Sequence, residues 1–299
     1  MPTVIADDGV RLHVEVDGDQ HADVTIVLCH GYTLTSATWR LLRRRLGHSA
    51  RLVMWDQRGH GRSERGPAAH ATVEQLGRDT VAVLEQAVPA GPVVLVGHSM
   101  GAMGVLALAH AHPELFGRDG RVVAVALINT SAGPVSGLSW LPAFVVGAAH
   151  QLATHAMSVL RWSPMSALRR SGVARTVARL VAVRGAFSSP VPHPVTSLLM
   201  EMIESTPIEV VKDFLPGFRN HHLFPALPVL GQVHCLVLAG ADDMLTPPAD
   251  SEAIAGAVPD ARLVVVPRAG HMLPLEHPDR VAHMLAEQLS DIRAFAMSA

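Results

Sequence analysis

The sequence predicts an α/β fold, a mostly parallel, doubly wound sheet with helices on both faces and a helical insertion. Three observations predict it. Continuous apolar runs at Thr25 to Cys29, Val93 to Val96 and Val122 to Ile128 alternate with stretches of helical spacing, the pattern of parallel strands buried on both faces. The run ending at Val96 meets Gly97-His98-Ser99-Met100-Gly101 and passes directly into an Ala/Leu-rich stretch ending near His112-Pro113, so a strand, a sharp turn and a helix follow one another. The alternation lapses from about Pro134 to Pro225 and then resumes at His234.

Taken in order, residues 3 to 6 and 11 to 16 alternate apolar and polar around Asp8-Gly9, as an antiparallel edge hairpin does. Thr25 to Cys29 ends in His30-Gly31-Tyr32-Thr33, and a helix is expected from about Ser36 to Leu46. Arg51 to Trp55 is the next strand and opens into Asp56-Gln57-Arg58-Gly59-His60-Gly61-Arg62-Ser63. Thr72 with Gln75 suits a capping box for a helix to about Ala87. After the insertion, His234 to Ala239 is a strand ending in Gly240-Ala241-Asp242-Asp243-Met244-Leu245-Thr246-Pro247, followed by a helix from Pro248 to Val258. Arg262 to Val266 is the last strand, ending in Pro267-Arg268-Ala269-Gly270-His271, and a closing helix runs from about Pro278 to Phe295. In such sheets chemistry gathers at the carboxyl ends of strands, which singles out the loops after Cys29, Val96, Ala239 and Val266.

The domain organisation is a core at 1–133 and 226–299 with a helical cap inserted at 134–225. Prolines at 134, 142, 164, 190, 192, 194 and 207 cut the insertion into helix-sized pieces. Between Gly120 and Met200 there is no Asp or Glu, while Arg121, Arg161, Arg169, Arg170, Arg175, Arg179 and Arg184 fall there. Val173, Val177, Leu180 and Val181 follow helical spacing with Arg175 and Arg179 on another face, which reads first as a packed helix with solvated arginines. The sharper reading is a surface that steers anionic groups toward the site.

A net charge of −2 over 299 residues gives no reason to expect nucleic acid or an anionic membrane. No apolar run approaches the ~18 residues of a membrane span, and the first residues lack a basic and apolar leader, so a cytoplasmic protein is expected. Cys29 and Cys235 lie in strand-like runs and read as buried, reduced thiols. His110/His112 and His221/His222 lack a neighbouring acid or cysteine at ligand spacing and read as solvated histidines rather than metal ligands.

The Gly97 to Gly101 turn carries its own chemistry. Glycines two before and two after Ser99 remove the Cβ atoms that would block close approach of strand and helix, so the hydroxyl projects from the sheet. The following helix aims its N-terminal N–H groups at the same spot, where negative charge on an oxygen would be stabilised.

Together these motifs make the chain resemble an α/β-hydrolase fold protein of the serine-nucleophile, esterase- and lipase-like branch. The residues that carry the resemblance are His30-Gly31-Tyr32, Asp56 to Ser63, Gly97 to Gly101, Gly240 to Pro247 and Gly270-His271, in that order, and they span nearly the whole chain except the insertion. The resemblance implies a Ser, Asp, His triad in that chain order, a cap over the pocket, and neither a metal nor an organic cofactor. Ser99 would be the nucleophile, which a serine hydroxyl can be only beside a base. His271 is the candidate base, glycine-preceded after a strand end, and imidazole is the side chain best suited to take and return a proton near neutral pH. The acid is Asp243 or Asp242; the family's Gly-x-x-Asp-x-x-x-Pro spacing selects Asp243, and Asp242 would then bond locally. The oxyanion hole would use the backbone N–H groups of Tyr32 and Met100. His-Gly-Tyr-Thr stands where many esterases of the family have His-Gly-Gly-Gly, a departure from the bulky-ester enzymes. His30 reads first as a structural hydrogen-bonding residue rather than a second base, and Asp56 and Arg58 as fixing their loop by local pairing; His30 and Arg58 are also kept as candidate substrate contacts, Arg58 for a substrate carboxylate. His98 and Met100 are expected to pack.

The expected reaction is cleavage of a small-molecule carboxylic ester through an acyl-enzyme. Serine rather than aspartate at the turn argues against an epoxide or haloalkane hydrolase, and a thioesterase, lactonase, carbon–carbon bond hydrolase or cofactor-free perhydrolase stays open on the same fold. The arginines of the insertion keep anionic or carrier-bound substrates in view. A reading from another class is a small-ligand binding protein on a hydrolase scaffold.

Overall fold

The computed structural model describes residues 3–88, 90–135 and 172–298. The runs read as strands pair into one eight-stranded sheet: β1 (Thr3–Ile5), β2 (Arg11–Gly18), β3 (Thr25–Cys29), β4 (Arg51–Trp55), β5 (Val93–His98), β6 (Val122–Ile128), β7 (His234–Gly240) and β8 (Arg262–Val266). Their spatial order is β1-β2-β4-β3-β5-β6-β7-β8. Only β2 runs against its neighbours, β1 on one side and β4 on the other; the remaining pairs are parallel. The registers Cys29 to Gly97 and Gly97 to Leu127 bring the carboxyl ends of the central strands to one rim.

Alternation along each buried strand divides the core. Ile26, Leu28, Leu52, Met54, Val94, Val96, Ala126 and Ile128 face the layer of α1 (Arg40–Leu46) and the closing helix Pro278–Ser298. Val27, Val53, Trp55, Leu95, Val125 and Val237 face α2 (Val73–Ala87), α3 (Met100–Ala111) and the helix Pro248–Ala257. Each large apolar side chain of this kind taken fully from water contributes about 1.5–3 kcal/mol, which is why the faces of these strands are so largely apolar. Both cysteines are buried and free, and burial pushes each thiol up to about 12.

Local detail departs from expectation in three places. Ser36–Trp39 is a 3-10 turn leading into α1, with the Thr35 hydroxyl accepting from Ala37 N. The capping box is half made: Thr72 Oγ1 accepts from Gln75 N at 3.2 Å, but the Gln75 amide turns to Asp7 and Asp79 instead of the cap. His221, read as solvated, is 3 % exposed at the end of a helix packed on the core, where burial holds its imidazole below the ordinary value.

Between β6 and β7 the described part of the insertion forms α4 (Gly172–Ala186), α5 (His193–Ser205) and α6 (Ile208–Asn220). Pro192 and Pro207 stand at the N-terminal caps of α5 and α6, where a missing N–H is no loss. Ala182, Ala186, Phe187, Leu199, Met202 and Ile203 pack with Leu34, in the loop after β3, and with Met272 and Leu275, which follow β8. Pro142, Pro164, Arg161, Arg169 and Arg170 lie outside the described residues. Among the described residues no helix is long and apolar enough to cross a membrane.

Candidate active site

Ser99 sits between β5 and α3 with φ 53° and ψ −119°, a left-handed backbone for a residue with a Cβ. The flanking glycines are what allow it. A Cβ on Gly97 would stand 2.5 Å from Ala102 N, and one on Gly101 would stand 2.5 Å from the carbonyl oxygen of His30. Two further bonds pin the turn: Ser99 N donates to Ile128 O at 2.9 Å and Thr130 Oγ1 donates to Ser99 O at 3.0 Å.

The loops after β7 and β8 bring Asp243 and His271 to this serine. His271 Nε2 lies 3.1 Å from Ser99 Oγ, and His271 Nδ1 lies 2.8 Å from Asp243 Oδ2. Asp243 Oδ1 accepts from Leu245 N and Thr246 N, and Oδ2 also accepts from Thr246 Oγ1 at 2.8 Å. Burial alone would raise the Asp243 carboxyl; the neighbouring His271 and the Thr246 hydrogen bonds outweigh it and hold the group below its usual range. An ionised, fully acceptor Asp243 leaves Nδ1 as the protonated ring nitrogen and Nε2 as the one facing the hydroxyl. The rival Asp242 does not enter this chain of contacts: its Oδ2 accepts from Ser188 Oγ at 2.5 Å.

The loop after β3 faces the same point. Among the described residues, neither Tyr32 N nor Met100 N finds a backbone acceptor, so both donors are available. The Gly31 carbonyl, which shares a peptide with Tyr32 N–H, accepts from His30 Nδ1 at 2.7 Å and from Leu34 N at 3.2 Å. His30 Nε2 in turn accepts from Gln57 N at 2.9 Å. With both ring nitrogens engaged and no exposure, His30 holds the loop and leaves no ring nitrogen free. Burial holds its pKa below the ordinary value, so it is the neutral, Nδ1-protonated form. His60 does the parallel task, accepting from Thr33 N at 3.1 Å and donating to Arg58 O at 2.9 Å. The Tyr32 ring packs edge-on against Phe218, centroids 4.9 Å apart, and its hydroxyl donates to Val211 O in α6.

The structure does not bring Arg58 to the site. Its guanidinium has no exposure and is divided between Asp79, 2.6 Å away, and Asp8, 2.8 Å away. The ion pairs tie the β1–β2 turn to α2 beneath the sheet. No group of three or more potential metal ligands occurs among the described residues.

Two residues have roles that motif reading passes over. Asn129, in left-handed backbone (φ 47°) at the end of β6, donates from Nδ2 to Gly270 O and His271 O at 2.9 and 2.8 Å and accepts from Gly240 N at 2.8 Å. One side chain thus fixes the acid loop and the base loop to the central strand. His98, expected only to pack, donates from Nε2 to the same His271 carbonyl at 2.8 Å; burial depresses it to about 3, which keeps it neutral.

The model of the alpha/beta hydrolase family matches residues 26–284, from the start of β3 to the closing helix. The chain belongs to the alpha/beta hydrolase family. It is similar to a thermophilic esterase from Thermogutta terrifontis, at 26 % identity and TM-score 0.72 over 97 % of this chain and 98 % of that one. It is equally similar to the enol-lactonase of Burkholderia xenovorans LB400, at 26 % identity and TM-score 0.72 over 97 % and 100 % of the two chains. A protein of Mycobacterium phage D29 named for a non-heme haloperoxidase is 31 % identical over 132 residues, 44 % of each chain, so this chain spans less than half the length of that relative.

Proposed function

We propose that the protein is a serine hydrolase that cleaves a small-molecule carboxylic ester. The observation that carries this reading is the continuous contact from Asp243 through His271 to Ser99, at 2.8 and 3.1 Å, on a turn whose strain exposes the serine. His271 Nε2 takes the Ser99 proton as the oxygen attacks the ester carbonyl, and Asp243 steadies the imidazolium that forms. The oxyanion is met by Tyr32 N–H and Met100 N–H. The imidazolium then protonates the leaving alcohol, and a water activated by the same base releases the acid.

Lactone opening by the same steps is the second reading, favoured by the likeness to an enol-lactonase across the whole chain. It differs only in that the leaving alcohol stays attached. We assign residues 134–225 as a cap, supported by the packing of α4 and α5 on Leu34 and Met272 beside the proposed site. An anionic substrate would have to meet arginines of that cap, since Arg58 is already committed to two carboxylates.

Fluorophosphonate labelling mapped by peptide mass spectrometry, with turnover of short and medium nitrophenyl esters and lactones, tests the reading. Modification at Ser99 and a fall of ~10⁶ in turnover for Ser99→Ala are expected. A folded protein that neither labels nor turns over would leave ligand binding as the better account.

A further inference from the structure

Glu276 is a buried acid that the proposed reaction does not use. It ends the short helix Leu273–Glu276, and its side chain has no exposure. Its carboxylate turns back toward the base loop, where Oε2 accepts from Gly270 N at 2.7 Å. The other oxygen, Oε1, accepts from Ser188 N at 2.9 Å, from Ser189 N at 2.5 Å and from Ser189 Oγ at 2.7 Å. Those serines form the turn by which the chain leaves α4. One carboxylate therefore joins the residue before His271 to the exit of the insertion's first described helix.

Neighbouring contacts show how tightly the two segments are set. Met272 N donates to Ala186 O at 2.9 Å, and Ser188 Oγ donates to Asp242, next to the proposed acid. A Cβ on Gly270 would stand 2.8 Å from Ala186 O and 2.9 Å from Ser188 N, so the approach itself requires glycine there. The carbonyl side of Gly270 and His271 is held by Asn129 and His98, and the Ala269 carbonyl accepts from Asp242 N at 3.0 Å. Glu276 supplies the acceptor on the remaining side, the N–H of the Ala269–Gly270 peptide.

We propose that Glu276 is a positioning residue for His271, clamping the base loop to the Ser188–Ser189 turn so that the imidazole stays in line with Ser99 and Asp243. The proposal rests on the serine-hydrolase reading. Its chemistry follows from donor and acceptor count: a carboxylate offers acceptors on both oxygens, and glutamine offers them on one. In Glu276→Gln the oxygen stays with the three donors of the serine turn, and the NH₂ group faces Gly270 N–H, donor against donor. The peptide before His271 is then released.

The test combines kinetics with amide exchange on the full chain. For Glu276→Gln, kcat on a short nitrophenyl ester is expected to fall about 10–100-fold with KM within about threefold, in line with a base displaced by a fraction of an ångström. Fluorophosphonate labelling should slow by the same factor, well below the melting temperature, while the Gly270 amide exchanges faster than in wild type. Glu276→Asp keeps the acceptors, shortens the reach and should recover part of kcat. Faster exchange at Gly270 with wild-type kcat in both variants would overturn the proposal and leave the hydrolase reading standing. So would a loss of kcat that only follows the unfolded fraction. A wild type that neither labels nor turns over would remove the hydrolase reading, and the proposal with it, while the exchange difference at Gly270 would still be measurable.

Discussion

Replacing Gly101 with alanine tests whether α3 is seated on β3 as closely as the proposed oxyanion site needs. The new methyl would stand 2.5 Å from the carbonyl carbon of Cys29 and 2.5 Å from the carbonyl oxygen of His30. Both are backbone atoms at the end of β3, so no side chain can swing aside. The Cys29 carbonyl oxygen comes closer still, and since ordinary contact begins near 3.4 Å, α3 must retreat by about 1 Å. Overpacking of this kind costs roughly 1–3 kcal/mol, a melting temperature lower by about 3–10 °C. The retreat also carries Met100 N–H away from Tyr32 N–H, which sits on the loop leaving β3. A displacement near 1 Å lowers kcat by roughly 10²-fold. Differential scanning calorimetry and ester turnover measure the two effects on one sample. Gly256→Ala is the control, since a Cβ there meets nothing within 4 Å and sits in the helix Pro248–Ala257; it should be neutral or stabilising by up to about 1 kcal/mol. A Gly101→Ala protein with wild-type melting and turnover would refute the close seating and the site built on it.

Asp243→Asn should lower kcat by roughly 10⁴ with little change in melting, because the amide inverts the hydrogen bond to His271 Nδ1 and selects the wrong tautomer; stopped-flow turnover checks it. Asn129→Ala removes both donors to the base loop and the acceptor of Gly240 N, so loss of about 2–4 kcal/mol and of kcat by more than tenfold are expected from urea unfolding and kinetics. Arg58→Ala leaves Asp79 buried without its cation and should cost about 3–5 kcal/mol, yet the kcat/KM ratio between carboxylated and neutral esters should not move; a selective loss for the carboxylated ester would mean that Arg58 does reach substrate. Acid should destabilise the fold from about pH 6.5 downward. His60 and His98 are depressed by burial to about 3 against ~6.5 unfolded, so the unfolded chain binds the protons first. Their stabilisation is complete above about pH 6.5 and falls toward pH 3, by up to ~1.4 kcal/mol per pH unit for each; urea midpoints that stay flat between about pH 7 and about pH 5 would contradict it.

What was legible in the sequence is what local chemistry dictates. Ile26 to Cys29 and Val93 to Val96 are apolar without a break because both sheet faces are covered, and the Gly97 and Gly101 spacing is required by atoms within a few residues or by a neighbouring strand end. Arg58 was read as pairing within its own loop or meeting a substrate carboxylate; its partners are instead Asp8 from the first hairpin and Asp79 from α2, 50 and 21 residues away, neither of which marks itself as a partner. Asn129 was illegible for a stronger reason. Its three bonds span 111 to 142 residues, and they exist only because β6 lies between the strand that supplies the serine and the one that supplies the acid. Read alone, Ile128-Asn129-Thr130 is a strand end with a polar residue, as many are. The motifs announce the groups proposed to react, while the side chains that hold them in register are chosen by the topology and carry no spacing of their own. Such residues are therefore found by asking where each buried polar atom of the reacting loops is satisfied, and for His271 the answers are Asn129, His98 and, through Gly270, Glu276.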